Sequence, residues 1–69
     1  MKNYILSIYA RKEAIESKND LLVFTAIHSD KKRLLDISKK YIDNDNHGDF
    51  TDDLTQDDFY IEIELYSNL

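Results

Sequence analysis

The sequence predicts a small α+β domain: a three-stranded antiparallel sheet, in the order β-β-α-β along the chain, with one helix packed on one face. Three observations lead there. Residues 58–66 alternate strictly, with Phe59, Ile61, Ile63 and Leu65 set against Tyr60, Glu62, Glu64 and Tyr66. Successive strand side chains point to opposite faces, so this is a strand with one apolar face to bury. Residues 3–9 and 21–28 are two further runs of strand formers. Residues 30–43 repeat their apolar positions at helical spacing.

In the first strand, Tyr4, Ile5, Leu6, Ile8 and Tyr9 are interrupted only by Ser7. Hydrophobicity on both registers is expected of a central strand. Residues 11–19 hold only Ala14 and Ile15 as apolar side chains. That stripe is too thin for a docked helix, so the segment reads as a long hairpin connection with at most a helical turn, closed by Lys18, Asn19 and Asp20. Residues 21–28 form the second strand, ending at His28, a strand-end histidine satisfied by the turn that follows. Ser29 or Asp30 caps the helix by accepting hydrogen bonds from its first free N–H groups. Leu34, Leu35, Ser38, Tyr41 and Ile42 form its buried stripe, with Ile37 at the edge, and Lys31, Lys32, Arg33, Lys39 and Lys40 lie mostly opposite. Residues 43–57 are a long connection, from which Phe50 and Leu54 tuck against the core. The second and third strands run parallel to one another with the first between them, in order 2-1-3, through a right-handed crossover. One helix covers one face; the other then shows Tyr9, Tyr60, Glu62, Glu64 and Tyr66, with Ile5 and Ser7.

Length and composition bound the function. Sixty-nine residues make a single domain, 1–69, and the absence of cysteine excludes disulfides and thiolate metal sites. The first ten residues lack the apolar run of a signal peptide, and no stretch reaches the 20 or so apolar residues of a spanning helix. A soluble, cytoplasmic, unprocessed chain is expected, with no membrane partner.

The net charge of −5 is unevenly distributed. All nine Lys and Arg fall in residues 1–40 beside five acids, giving +4; residues 41–69 hold nine acids and no Lys or Arg, giving −9. Such a pole attracts a partner with a basic surface and repels nucleic acid. The binding surface expected from this pattern comprises Tyr60, Glu62, Glu64 and Tyr66 together with Asp49, Asp52, Asp53, Asp57 and Asp58. Aromatic anchors beside carboxylates suit a protein interface. No glycine-rich phosphate loop, nucleophile–base pair or cofactor fingerprint is present, so neither an enzyme nor a cofactor is expected. Nucleic acid is the alternative partner, and Lys31, Lys32, Arg33, Lys39 and Lys40 would be its phosphate contacts. The sheet edge after the third strand offers strand addition or homodimerisation.

Two resemblances extend this reading. Residues 43–54 resemble a degenerate EF-hand calcium loop. Asp43 and Asp45 stand at the first two ligand positions, Gly48 at the turn glycine and Phe50 at the apolar position; His47 replaces an oxygen ligand and Leu54 the bidentate glutamate. The resemblance implies a calcium-responsive module with Asp43, Asp45 and Asp49 as ligands. In size, charge and lysine/asparagine/isoleucine-rich composition, the chain is similar to small acidic antagonist proteins of phages and other mobile elements. That similarity implies an inhibitor imitating a nucleic acid on a host protein.

Overall fold

The computed structural model describes residues 2–43 and 54–67. Three strands, β1 (Asn3–Ala10), β2 (Leu21–His28) and β3 (Phe59–Ser67), form one sheet in the order β2-β1-β3. β1 pairs antiparallel with both neighbours, which therefore run parallel to each other. The α+β class and strand order are as expected from the sequence. The central place of β1 follows from its composition: only a strand flanked on both sides can bury most of both its faces.

Among the described residues one α-helix, α1 (Lys31–Asp43), lies on one face. Asp30 precedes it as the cap, its Oδ1 accepting a hydrogen bond from the Lys32 N–H at 2.9 Å. That bond satisfies one of the four N–H groups that a helix start leaves without partners. Beneath α1, Leu6, Ile8 and Leu34 are fully buried, joined by Ala10 and Phe59. Burial of each large side chain contributes about 1.5–3 kcal/mol, the main return a domain of this size has against chain entropy. Tyr41 closes one end of this core. Its ring centroid lies 5.0 Å from Phe24 and meets Phe59 edge-on at 6.2 Å.

Ser38 shares the buried face of α1, and its Oγ donates to the Leu35 carbonyl at 2.7 Å. A small, internally satisfied side chain lets the helix approach the sheet closely. Leu35 departs from expectation. Placed in the buried stripe by its spacing, it is 49% exposed, because the contact is centred on Leu34, Ser38 and Tyr41 and a position 100° round from Leu34 falls at its margin.

Residues 11–20 form a hairpin connection with one helical turn. The Ala14 and Ile15 N–H groups both reach the Arg11 carbonyl, and the Ser17 N–H reaches that of Lys12 at 3.0 Å. Glu16 ends the turn at φ 52°, in the left-handed region. Half-buried Ile15 packs against the core. The 43–57 connection is less bare than its composition suggests: a 3-10 turn, Gln56–Asp58, leads into β3, and Leu54 is half-buried against the core as expected. Phe50 lies outside the described residues.

Candidate functional site

The face of the sheet away from α1 carries the residues of interest. β1 turns Tyr4, Leu6, Ile8 and Ala10 toward the helix, so Ile5, Ser7 and Tyr9 occupy the open side. Cross-strand pairing arranges the rest in rows. Ile5 stands between Ile27 and Glu64, Ser7 between Thr25 and Glu62, and Tyr9 between Leu22 and Tyr60. No element among the described residues covers this face, and β2 adds an apolar contribution that the alternation of β3 alone did not disclose: Leu22 is 49% and Ile27 50% exposed.

The Glu62 and Glu64 side chains are exposed and make no hydrogen bond or ion pair among the described residues, Glu62 acting on Tyr60 through its charge alone. Two residues apart on one strand, they hold like charges about 7 Å apart on the same face. Tyr66 lies where the β1–β3 register shifts, between the Tyr4–Leu65 and Asn3–Ser67 pairs, and is 58% exposed. Glu62 and Glu64 are presented to solvent beside the Ile5–Ile27 pair, with Tyr66 exposed at the bulge beyond them.

Tyr60 is placed differently. It is half-buried, with its ring stacked on Tyr9 (centroids 5.0 Å apart, planes 15° apart) and the Arg11 guanidinium 5.0 Å from the ring centroid. Its hydroxyl donates to Asp20 Oδ2 at 2.6 Å, while the Lys12 N–H donates to Asp20 Oδ1 at 2.7 Å. One carboxylate thus holds the β1–β2 connection to β3. The hydrogen bond to Asp20, with burial and the charge of Asp20 behind it, pushes the Tyr60 phenol up to about 12. The same bond, followed by that from Lys12, holds the Asp20 carboxyl below its ordinary value. Tyr60 is consequently a structural anchor within the face rather than a ring free to enter a partner.

Arg11 completes this corner. Its N–H donates to the Asp58 carbonyl at 2.8 Å and its Nε to the Asp57 carbonyl at 3.2 Å. Asp57 is exposed; the Asp58 carboxylate accepts from the Thr55 N–H at 2.9 Å and from Thr55 Oγ1 at 3.3 Å, closing the turn before β3. The roles of Arg11 and Asp20 were not legible as motifs. The sole signal was a lone Asp in a turn and an Arg directly after a strand.

Asp49, Asp52 and Asp53, and with them Asp45, His47 and Gly48 of the calcium-loop reading, lie outside the described residues. Asp43 closes α1, where its Oδ1 accepts from Gln56 Nε2 at 2.9 Å. On the helix, Lys31 places its Nζ 4.8 Å from the Tyr4 ring centroid, and Lys32, Arg33, Lys39 and Lys40 are exposed. His28 Nδ1 accepts from the Asp30 N–H at 2.9 Å, the turn contact expected of a strand-end histidine. Among the described residues no helix is long and apolar enough to cross a membrane. No family model, curated protein or solved structure matches the chain.

Proposed function

We propose that this is a non-catalytic protein-binding module whose open sheet face docks on a basic protein surface. The observation that carries the reading is the pair of exposed, unengaged carboxylates of Glu62 and Glu64, set beside exposed Tyr66 and the Ile5–Ile27 pair. Apolar area supplies affinity once water is excluded, while charge supplies steering and register. Asp57 extends the acidic surface toward the turn before β3. Tyr60, Tyr9, Arg11 and Asp20 stiffen that end of the face, which lowers the ordering cost of association. Docking of this kind would occlude a cationic groove on the partner, the action of an inhibitor that imitates a nucleic acid.

The test is amide-resolved NMR titration with a lysine-rich peptide as probe. Shifts are expected to map to Ile5, Ile27, Glu62, Glu64 and Tyr66, and to fade as salt shortens the screening length from about 30 Å at 0.01 M to about 8 Å at physiological strength. The double variant Glu62→Lys, Glu64→Lys should abolish them. Shifts confined to α1, or a response unaltered by that reversal, would refute the proposal.

A further inference from the structure

We infer that β2 is a self-association edge: it pairs antiparallel with β2 of a second copy about a two-fold axis at Ala26, making one six-stranded sheet. The inference rests on the edges of the sheet; it uses the charge of Glu62 and Glu64 to choose between edges but requires no partner protein, so it stands or falls independently of the reading above.

Both outer strands have one side without a strand neighbour among the described residues. An unpaired row of N–H and C=O groups is a template for another chain, and edges left exposed are ordinarily blunted by charge or proline. β3 is blunted by Glu62 and Glu64. β2 reads Leu-Leu-Val-Phe-Thr-Ala-Ile-His, eight residues with no Lys, Arg, Asp, Glu, Pro or Gly, and three of its side chains (Leu21, Leu22, Ile27) are large, apolar and at least 39% exposed. Its only irregularity is at one end, where the pairing passes from Ile8–Phe24 to Tyr9–Leu22 and leaves Val23 over. From Phe24 to His28 the register is unbroken. A self-pairing strand uses its regular run, and the midpoint of that run is Ala26.

This register gives a coherent seam. On the open face Thr25 meets Ile27 of the second copy, two β-branched side chains in each of two equivalent pairs. On the helix face Phe24 meets the second copy's His28, and the two Ala26 side chains, small enough for close approach, meet at the axis.

Charge selects the second copy, and this edge, over the alternatives. In the order β3-β1-β2-β2-β1-β3 the two acidic strands are five strand spacings apart, about 24 Å, well beyond the screening length of about 8 Å in physiological salt. Pairing through β3 would instead bring the Glu62 and Glu64 carboxylates of two copies, each of net charge −5, to neighbouring strands. Pairing β2 with β3 would leave a free β2 and a free β3 at the ends and propagate as an open filament. Pairing β2 with β2 closes without bringing the acidic strands together, and it leaves outward the two edges that already carry charge. The product presents two open faces side by side, so a partner with two basic patches would be held at both.

Analytical ultracentrifugation over a concentration series is expected to show a reversible species of twice the 8.2 kDa chain mass. The double variant Thr25→Lys, Ile27→Lys, at two exposed positions, should weaken it about tenfold or more by setting like charges directly across the seam while the circular dichroism spectrum is retained. Glu64→Lys should not weaken it. Because the chain has no cysteine, Ala26→Cys supplies a single thiol that should form a disulfide dimer on mild oxidation, whereas Tyr66→Cys should not. A chain that stays monomeric at every concentration overturns the inference. So does a dimer insensitive to both β2 lysines, or one linked through Tyr66→Cys in preference to Ala26→Cys.

Discussion

Leu34 and Leu35 are adjacent leucines on one helix, and truncating each to alanine measures how α1 is seated. Leu34 is fully buried against the sheet, whereas Leu35 is 49% exposed. Leu34→Ala removes three carbons from a closed core, a transfer loss of about 2.4 kcal/mol at about 0.8 kcal/mol per carbon. Incomplete collapse around the vacated volume raises the expected cost to about 3–4 kcal/mol. A 69-residue chain has a total stability on the order of 3.5–10 kcal/mol, so this one change removes a third of it or more. Leu35→Ala leaves little cavity and slightly raises helix propensity, so its cost should be about 1 kcal/mol or less. Urea unfolding followed by circular dichroism resolves the two, provided the slope is shared by all three proteins. Equal losses at the two positions, or a loss below about 1 kcal/mol for Leu34→Ala, would mean that the helix does not rest on the sheet through Leu34.

The remaining predictions concern the connection between β1 and β2. Asp20→Asn should return the Tyr60 phenol from about 12 toward its ordinary 10.0, read as an earlier phenolate absorbance step in an alkaline titration; an unchanged step would disprove the Asp20–Tyr60 bond. The signs of the accompanying pH dependence follow from linkage. Tyr60, raised in the folded state, contributes stability that is complete below pH 10.0 and is lost as the pH climbs toward about 12. Asp20, lowered in the folded state, contributes stability present above 3.8 that is lost as the pH falls through its depressed folded value. Asp20→Asn should flatten both arms of the stability profile, and arms that persist would assign them to other groups. Glu16→Gly should stabilise the fold by up to about 1 kcal/mol, since a side chain at φ 52° is strained and glycine is not; thermal unfolding that shows a loss would argue against the left-handed turn.

Much of the architecture was legible from local pattern. Strict alternation marked β3, near-continuous strand formers marked β1 and β2, and helical spacing with Asp30 ahead of it marked α1; hydrophobicity on both registers placed β1 in the centre. The open face was legible as well, because Tyr60, Glu62 and Glu64 alternate with Phe59, Ile61 and Ile63 of the core; Leu65 shares that spacing but is 51% exposed, because the regular register ends there. Less could be read from side chains whose surroundings come from distant segments. Leu35 has the spacing of a buried residue, and only the seating of α1 left it at the margin. Tyr60 shares its alternation with Tyr66, yet Tyr60 meets Asp20, Arg11 and Tyr9 while Tyr66 falls at a register shift and faces solvent.

By itself, then, the sequence determined which segments are strands and helix and which sides of them are apolar. Those properties repeat every two or 3.6 residues and are written in near neighbours. The tertiary structure alone decided that Asp20 clamps Tyr60 from 40 residues away, that β2 adds Leu22 and Ile27 to the open face, and that Glu62 and Glu64 stay unengaged among the described residues. Partnership between side chains depends on register and on how the sheet turns its edges, and neither quantity has a local signature in the chain.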